Sequence, residues 1–314
     1  MTARHHHYLS QCYLKGFTKG QTKKSKLSVI DFKQKKSFET KPRNVGGIRD
    51  FNRIDLEGVD QNAIETELSK FEGHAATALN RLKNSLDFSG ETKDLVLNLI
   101  ALIAIRSPER REHMRKFHAQ LADVIMGMTL DSKERWESQV GQLKKTDPSY
   151  KNEVTYDQAK EFFDKKQYEI EVARERHIQI EMVQIDAILP LLHGRKWLLL
   201  VANEKTGPFI TTDQPVNLSW KNPDEVPSPY RSSPGFGLKS TEVYFPISQN
   251  LALLGEFDGR EGVVEAPKHL VAVFNTKMLY NFYSQLYSPK IDFTFFGKDD
   301  DLMSGKLLLK EFST

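Results

Sequence analysis

Apolar residues recur at intervals of three and four positions through the middle of the chain, which is the spacing of one face of an α-helix. From Asp60 onward this pattern predicts a long amphipathic helix with Asp60 as its N-cap. Residues 95–105 are apolar on nearly every face, so they predict a buried central helix that ends at Arg106. A further helix should begin near Pro108, because proline suits the first turn of a helix.

The helix after Pro108 is expected to carry its apolar residues on one face, namely Met114, Phe117, Leu121, Val124, Ile125 and Met128. Polar sequence at 138–152 is typical of a mobile connection. Another helix is predicted from residue 156 to about 193, where Gly194 stops it. Together these segments predict a helical bundle.

Alternation of apolar and polar residues predicts strands on both sides of this helical region. Near the N-terminus, residues 27–32 and 36–40 alternate around a Lys-Gln-Lys turn and indicate a hairpin. The later predicted strands cover 197–201, 209–212, 242–246, 251–257 and 291–296, with a last helix at about 276–286.

We therefore predict an α+β fold in which a central helical bundle is flanked by an antiparallel sheet built from N- and C-terminal strands. The predicted parts are residues 1–58, 59–194 and 195–314, which we expect to form one compact unit. Such a sheet would bring the two ends of the chain together and place His5 to Tyr8 near the turn at 211–215.

Composition indicates a globular protein without a membrane segment. The chain has 314 residues, of which 39% are hydrophobic, and this is ample for a core. Its longest apolar run, 95–105, is about half of what crosses a bilayer, and no signal sequence opens the chain. Cys12 is the single cysteine, which excludes an internal disulfide and favours a reducing, cytoplasmic location.

Charge is nearly balanced overall, at +3, but the N-terminal segment is strongly basic. Such a segment can attract phosphate backbones. A solvated loop and hairpin is an equally good interpretation. If nucleic acid is a partner, the residues expected to bind it are Lys23, Lys24, Lys26, Lys35, Lys36, Arg110 and Arg111.

Three histidines, His5 to His7, directly precede a short amphipathic segment, in which Leu9, Tyr13, Leu14 and Phe17 lie at helical spacings. A helix beginning at Tyr8 or Leu9 would place the imidazoles at its N-terminus. The helix dipole there disfavours a protonated ring, which leaves a base, ligand or hydrogen-bond partner. An expression tag is the alternative interpretation, but three histidines are few for a tag and run without a linker into structured sequence.

The order His-His-Tyr, four residues, Tyr-Leu, two residues, Phe resembles the opening of the bacterial family called domain of unknown function 4238. Further similar motifs are Ile64-Glu65 with Leu68 and Glu72, Ile105-Arg106-Ser107-Pro108, residues 209–216 and residues 244–247. The resemblance therefore spans most of the chain. Leu9 to Cys12, Thr212 and Gln214 depart from the family pattern in a conservative way. The family name implies no activity.

Three polar clusters lie at the ends of apolar elements: the histidines, Arg106, and Thr211 to Asp213. Asp213 could orient an imidazole or bind a cation, or it could form an Asx turn with its own backbone. Arg106 follows a buried helix and needs an anionic partner, which is either a phosphate or a structural carboxylate such as Glu65 or Glu72.

Together these residues would suffice for phosphodiester hydrolysis, with one histidine as base, a second as acid, and arginine stabilising the developing charge. The candidate catalytic residues are His5, His6, Arg106 and Asp213. A divalent metal could be held by His and Asp, although no paired spacing supports it, and no other cofactor is evident. Arg106 and His113 also resemble, weakly, the Arg-x(4 to 6)-His element of the HEPN ribonucleases.

The leading hypothesis is a cytoplasmic bacterial nuclease, acting as a phage-defence or toxin-type effector. The alternative is a non-catalytic ligand-binding or protein-interaction module, in which His, Arg and Asp form a structural polar network. The two hypotheses differ in one geometric expectation. A catalytic set converges in a solvent-accessible pocket, whereas a structural set is buried and mutually hydrogen-bonded.

Overall fold

A computed structural model describes residues 4–166 and 168–312. The N-terminal part consists of short elements, with a 3₁₀ turn at Lys15–Phe17 after the first helix and another at Pro42–Asn44. In chain order they are β1 (His5–His7), α1 (Gln11–Leu14), β2 (Leu27–Asp31), β3 (Lys36–Thr40) and β4 (Gly47–Arg49).

The middle of the chain is helical. Its helices are α2 (Ala63–Ser85), α3 (Gly90–Ile105), α4 (Pro108–Thr129), α5 (Lys133–Thr146), α6 (Tyr156–Asp164) and α7 (Arg174–His193). The predicted helices after Asp60, over 95–105 and after Pro108 are thus confirmed. Asn62 rather than Asp60 is the N-cap of α2, and Asp60 instead accepts a hydrogen bond from the backbone of Asn62.

The C-terminal part is rich in strands. Its elements are β5 (Lys196–Val201), β6 (Thr211–Thr212), β7 (Asn217–Trp220), β8 (Thr241–Ser248), β9 (Leu251–Glu256), β10 (Gly262–Glu265), α8 (Lys268–Leu279), β11 (Gln285–Ser288), β12 (Thr294–Phe296) and β13 (Leu302–Ser304). Short 3₁₀ helices lie at Pro223–Glu225, Ser228–Tyr230 and Gly305–Phe312.

The chain divides into two compact units. One contains residues 1–107 and 178–314, and the other contains 108–177. These boundaries differ from the expected ones at 58 and 194. Because α2 and α3 belong to the first unit and α4 to α6 to the second, the stretch predicted as one central bundle is split between them.

N- and C-terminal strands share one antiparallel sheet, as the sequence predicted. The strand order is β3-β2-β11-β6, and Leu286 of β11 pairs with Ile30 on one side and Thr212 on the other. A second sheet has the order β10-β5-β9-β8-β7 and is mixed rather than purely antiparallel. After β9 the chain reverses once and passes to the far side of β5, so β10 runs parallel to β5.

The structure corrects three predicted elements in the middle and end of the chain. The stretch 138–152, expected to be a mobile connection, overlaps the second half of α5, whose N-cap Ser132 accepts a hydrogen bond from the backbone of Arg135. The helix predicted over 156–193 is interrupted where Lys166 adopts a left-handed φ of 50°. The last helix, α8, begins eight residues before the predicted start at 276 and ends at Leu279. The end of the predicted range instead lies in β11.

The hydrophobic core explains why the N-terminal segment is ordered. Leu9, Tyr13, Leu14 and Phe17 are fully buried in a cluster with residues of α2, α3, β8 and β9. The apolar face recognised in the sequence therefore docks on the body as predicted. Burial of one such side chain contributes roughly 1.5–3 kcal/mol to stability.

Candidate functional site

The histidines lie on a strand rather than at a helix N-terminus, so that part of the prediction is wrong. β1 pairs with β4, with His6 opposite Ile48. The helix α1 begins later because Ser10 is its N-cap and accepts a hydrogen bond from the backbone of Tyr13. Alternation along the strand buries His6 completely and leaves His5 exposed and His7 half-buried.

A left-handed glycine positions the segment that follows the histidines. Gly46 has a φ of +66°, and its carbonyl accepts hydrogen bonds from the backbone N–H groups of Tyr8 and Leu9 at 2.9 and 3.1 Å. A Cβ atom at Gly46 would lie only 2.9 Å from Cβ of Leu9. The Gly-Gly pair therefore has a specific role in holding β1 against β4.

The pKa of His7 is lowered chiefly by burial, with a smaller contribution from neighbouring His5. The sequence predicted a neutral imidazole in this segment. For His7 the expectation agrees with the direction of the shift, but the physical cause is desolvation and not a helix dipole.

His6 is joined to Arg106 through Asn52. The backbone N–H of Asn52 donates to Nδ1 of His6 at 2.9 Å, and the Asn52 side-chain amide donates to Oε2 of Glu65 at 2.6 Å. Nη2 of Arg106 donates to Oδ1 of Asn52 at 2.7 Å. Because Nδ1 of His6 accepts, the neutral ring carries its proton on Nε2.

Arg106 also faces a buried carboxylate. Its Nε lies 3.9 Å from Oε2 of Glu181 on α7, and both side chains are about 95% buried, at 4% and 6% exposure. The sequence offered Glu65 and Glu72 as candidate partners, and the structure adds an ion pair with Glu181. We call the set His6, Asn52, Glu65, Arg106 and Glu181 the polar network.

Sequence reasoning missed two members of the polar network. Asn52 lies in the irregular segment after β4, where a single polar residue between Phe51 and Arg53 gives no periodic signal. Glu181 was hidden inside a long predicted helix. Its one signal is a carboxylate set among Ile178, Ile180 and Met182, since a charge at an apolar position of a helix requires a partner.

Glu72 lies on α2 close enough to the polar network to be affected by its charges. Burial and the neighbouring Glu65 carboxylate raise the pKa of Glu72 to about 7, against an opposing effect of Arg106. A carboxylic acid that titrates near neutral pH is a recurrent feature of functional sites, and also of buried structural clusters.

The raised pKa of Glu72 predicts a loss of stability as the pH rises. The folded protein retains the proton between the unfolded pKa of 4.5 and about 7, and unfolding releases it, so the free energy of unfolding falls across this window. Between pH 5 and pH 8, we expect the free energy of unfolding of wild type to fall by roughly 2–3 kcal/mol more than that of Glu72→Gln. Urea unfolding measures both values. The control is Glu67→Gln, at an exposed position of the same helix, and its free energy of unfolding should depend on pH as that of wild type does. If the free energies of wild type and Glu72→Gln ran parallel with pH, the raised pKa of Glu72 would be contradicted.

Asp213 belongs to a different set of contacts. Its carboxylate accepts hydrogen bonds from the backbone N–H groups of Tyr283, Ser284 and Gln285 at 2.7–2.9 Å, and from Oγ of Ser284 at 2.9 Å. Within residues 4–166 and 168–312, Asp213 therefore forms neither the predicted Asx turn nor a contact that orients an imidazole. It holds those N–H groups in a loop, which explains why the predicted helix over 276–286 gives way to β11.

The N-terminal segment does reach the Thr211 to Asp213 turn, but not through its histidines. The hydroxyl of Tyr13 is hydrogen-bonded to Oγ1 of Thr211 at 2.6 Å. Burial raises the pKa of Tyr8, and the negative charge of Asp213 contributes to the same shift. The predicted proximity is therefore confirmed for Tyr8, whereas His6 contacts Asn52 and Glu65.

The predicted nucleic-acid-binding lysines are all exposed and lie at the two ends of one hairpin. Lys23, Lys24 and Lys26 precede β2, and Lys35 and Lys36 form its turn into β3. Within the described residues, none of these five has a carboxylate oxygen within 4.0 Å of its ammonium group. Arg110 and Arg111 lie on α4, in the other compact unit.

No group of three or more His, Cys, Asp or Glu side chains within residues 4–166 and 168–312 is arranged to hold a metal ion. Over the same ranges, no helix combines the length and the apolar character needed to cross a lipid bilayer.

Comparison with known proteins places the chain in a family. The model of the family described as "Protein of unknown function (DUF4238)" matches residues 5–290, so the chain belongs to this family. No curated protein and no solved structure matches it significantly. The match includes β1, Asn52, Arg106 and Asp213, and it ends after β11.

Proposed function

We propose that this protein acts by binding and not by catalysis at its histidines, and that the polar network is structural. The observation that carries this proposal is the burial of His6, Asn52 and Arg106, which are 0%, 0% and 3% exposed and bonded in series. A substrate phosphate would have to displace Asn52 and Glu181 from the guanidinium. Buried hydrogen-bonded networks of this kind favour one arrangement of the surrounding chain.

The elements that the polar network connects explain what it stabilises. His6 comes from the N-terminal strand, Asn52 from the segment after β4, Glu65 from α2, Arg106 from the end of α3 and Glu181 from α7. Five separate segments are thereby tied together around one arginine. Loss of His6 or Arg106 removes a hydrogen-bond partner from buried Asn52, which costs about 1–3 kcal/mol.

The ligand that we propose is nucleic acid, bound through those lysines of the N-terminal hairpin that have no carboxylate partner among the described residues. β2 has five residues, so the two lysine groups are separated by roughly 17 Å, the axial length of about five base pairs of duplex DNA. Ammonium groups without a carboxylate partner are free to replace counterions along a phosphate backbone. Contacts of this type carry no sequence preference.

A hydrolase is the second candidate function, and one observation favours it. The pKa of about 7 at Glu72 would suit a general acid or base at neutral pH, and the nearby Glu65 side chain is 24% exposed. In that case Glu72 rather than His6 would be the group that transfers a proton. A role as a phage-defence or toxin-type effector would accompany this candidate.

Replacing His6 by alanine tests the proposed structural role. We expect the free energy of unfolding to fall by about 2–3 kcal/mol, because the Asn52 N–H loses its acceptor in a buried position. Affinity for duplex DNA, measured well below the unfolding temperature, should equal that of wild type.

The matched control is His74→Ala, which makes the same substitution at an exposed position of α2. It should change stability by no more than about 0.5 kcal/mol. The proposal is wrong if the free energy of unfolding of His6→Ala equals that of wild type. It is also wrong if folded His6→Ala binds duplex DNA more weakly than wild type does.

A further inference from the structure

Two exposed tyrosines lie on the loop that joins α8 to β11. Tyr280 is 80% exposed and Tyr283 is 47% exposed. We call residues 280–284 the aromatic loop. Because the two tyrosines are three positions apart, their Cα atoms are separated by at most about 11 Å. Single exposed apolar residues are ordinary, but two aromatic rings on one short loop indicate an interaction surface.

Buried and half-buried side chains of the same compact unit fix the backbone of the aromatic loop from behind. The carboxylate of Asp213 accepts the backbone N–H of Tyr283 at 2.8 Å. The side-chain amide of Asn281 donates to the carbonyl groups of Gln214 and Val216 at 2.7 and 3.0 Å. A loop held in this way presents its side chains in one orientation and loses little conformational entropy when a ligand binds.

The turn between β2 and β3 lies beside the aromatic loop. The backbone N–H of Phe32 donates to the carbonyl of Ser284 at 2.9 Å, and the ring centroids of Phe32 and Phe282 are 4.5 Å apart. Nζ of Lys33 donates to the hydroxyl of Tyr283 at 2.8 Å and lies 4.0 Å from the centroid of its ring. The turn therefore places positive charge directly against an aromatic side chain.

This turn carries three exposed lysines, namely Lys33, Lys35 and Lys36. We call them the lysine turn. Among the residues that the structure describes, no carboxylate oxygen lies within 4.0 Å of these three ammonium groups. The buried carboxylate of neighbouring Asp31 instead accepts the backbone N–H of Gln34 at 2.8 Å and the side-chain amide of Gln285 at 2.7 Å. The charge of the lysine turn is therefore not neutralised by an ion pair there.

Lysines set among exposed aromatic rings suit a single-stranded nucleic acid. Ammonium groups bind its phosphates, and an unpaired base can stack on the face of each tyrosine ring. The bases of a duplex are already stacked on one another, so a duplex would use the lysines alone. An acidic peptide would also leave the rings without a partner of their own kind.

We infer that the aromatic loop and the lysine turn together bind single-stranded nucleic acid, with bases stacked on Tyr280 and Tyr283. This inference rests on the function proposed above and makes its ligand more specific. Stacking of one base on an aromatic side chain changes affinity by roughly 5- to 150-fold. Every base has a π face, so the surface should tolerate many sequences.

Fluorescence anisotropy with labelled strands of about 15 nucleotides tests the inference. Oligothymidylate should bind at least about fivefold more tightly than an abasic strand of the same length, which keeps the phosphates but has no bases. Tyr280→Ala and Tyr283→Ala should each weaken binding of oligothymidylate at least about fivefold. Affinity of both variants for a duplex should equal that of wild type, because the duplex uses the lysines alone.

Two control variants separate stacking from other effects. Tyr283→Phe keeps the ring and loses only the hydroxyl that contacts Lys33, so it should bind oligothymidylate as wild type does. Tyr230→Ala makes the same change as the test variants at a 65% exposed position of another loop, and it should also bind as wild type does. All three tyrosines are exposed, so the melting temperature of each variant should match wild type.

Photochemical cross-linking locates the stacked bases. A strand that contains 5-iodouracil reacts on near-ultraviolet irradiation with an aromatic ring that lies against the base. We expect the cross-linked peptide to contain residues 280–284. Cross-links elsewhere in the chain, and none in this peptide, would contradict the inference.

Two binding results would also overturn the inference. One is equal affinity of wild type for oligothymidylate and for the abasic strand, and the other is wild-type affinity in both Tyr→Ala variants. If a duplex still bound through the hairpin lysines, the proposed function would stand without this inference. Absence of binding to duplex, single strand and abasic strand at low salt would contradict both. Binding of polyglutamate as tight as that of oligothymidylate would instead assign the surface to an acidic protein.

Discussion

Replacing Arg106 by methionine is expected to lower the free energy of unfolding by about 3–5 kcal/mol, because the change removes one partner of a buried ion pair. Glu181 would lose this cation, and Oδ1 of Asn52 would lose its donor. Methionine retains most of the apolar stem of arginine, so the loss reports the charged group and not a large cavity. Urea unfolding monitored by circular dichroism measures the effect.

Arg81→Met is the matched control for this prediction. Arg81 forms an ion pair with Glu91 in which both side chains are more than half exposed, at 52% and 72%. Exposed pairs contribute little, so this substitution should cost less than about 1 kcal/mol. Equal losses at both positions would show that burial of the Arg106 pair has no energetic consequence, contrary to the role proposed for the polar network.

Binding of duplex DNA is expected to weaken by about 500-fold when the salt concentration rises from 50 to 200 mM, if all five hairpin lysines replace counterions. The slope of log affinity against log salt would be about −4.5. Lys35→Ala/Lys36→Ala should reduce the magnitude of this slope by about 2, because two phosphate contacts are removed. Fluorescence anisotropy of a labelled duplex measures both quantities.

The double substitution Lys144→Ala/Lys145→Ala is the control, since it removes two exposed lysines from α5 and the same amount of charge. Its salt slope should equal that of wild type. A protein that shows no affinity at 50 mM salt, or the same slope for both double variants, would contradict binding through the hairpin.

Elements with a strong local period could be predicted from the sequence. The hairpin of β2 and β3, the helix α2 and the apolar face of α1 follow from the spacing of apolar residues in the sequence, and α3 follows from apolar residues on nearly every face. The pairing of N- and C-terminal strands also followed, since each strand has an apolar face that needs a second layer or a neighbour.

Errors arose where a distant residue decides the local structure. The helix predicted across 276–286 fails because Asp213, some 70 residues earlier, accepts the N–H groups of Tyr283, Ser284 and Gln285. The helix predicted over 156–193 is interrupted at Lys166, which donates to Asp123 on α4. Local propensity contains no information about such partners.

The candidate site could be predicted only in part for the same reason. His6 and Arg106 were identified as polar residues next to apolar elements, and the structure does connect them. Their connection through Asn52 and the ion pair with Glu181 depend on how distant segments pack against one another. The periodicity of the sequence does not reveal that packing.

Incubation of purified protein with RNA and with DNA, in the presence and absence of divalent metal and chelator, tests the central claim most directly. We predict that wild type cleaves no more RNA or DNA than a preparation of His6→Ala made in the same way. Cleavage by wild type that disappears in a folded His6→Ala protein, while Glu72→Gln and His74→Ala retain it, would contradict the account and make His6 a catalytic residue.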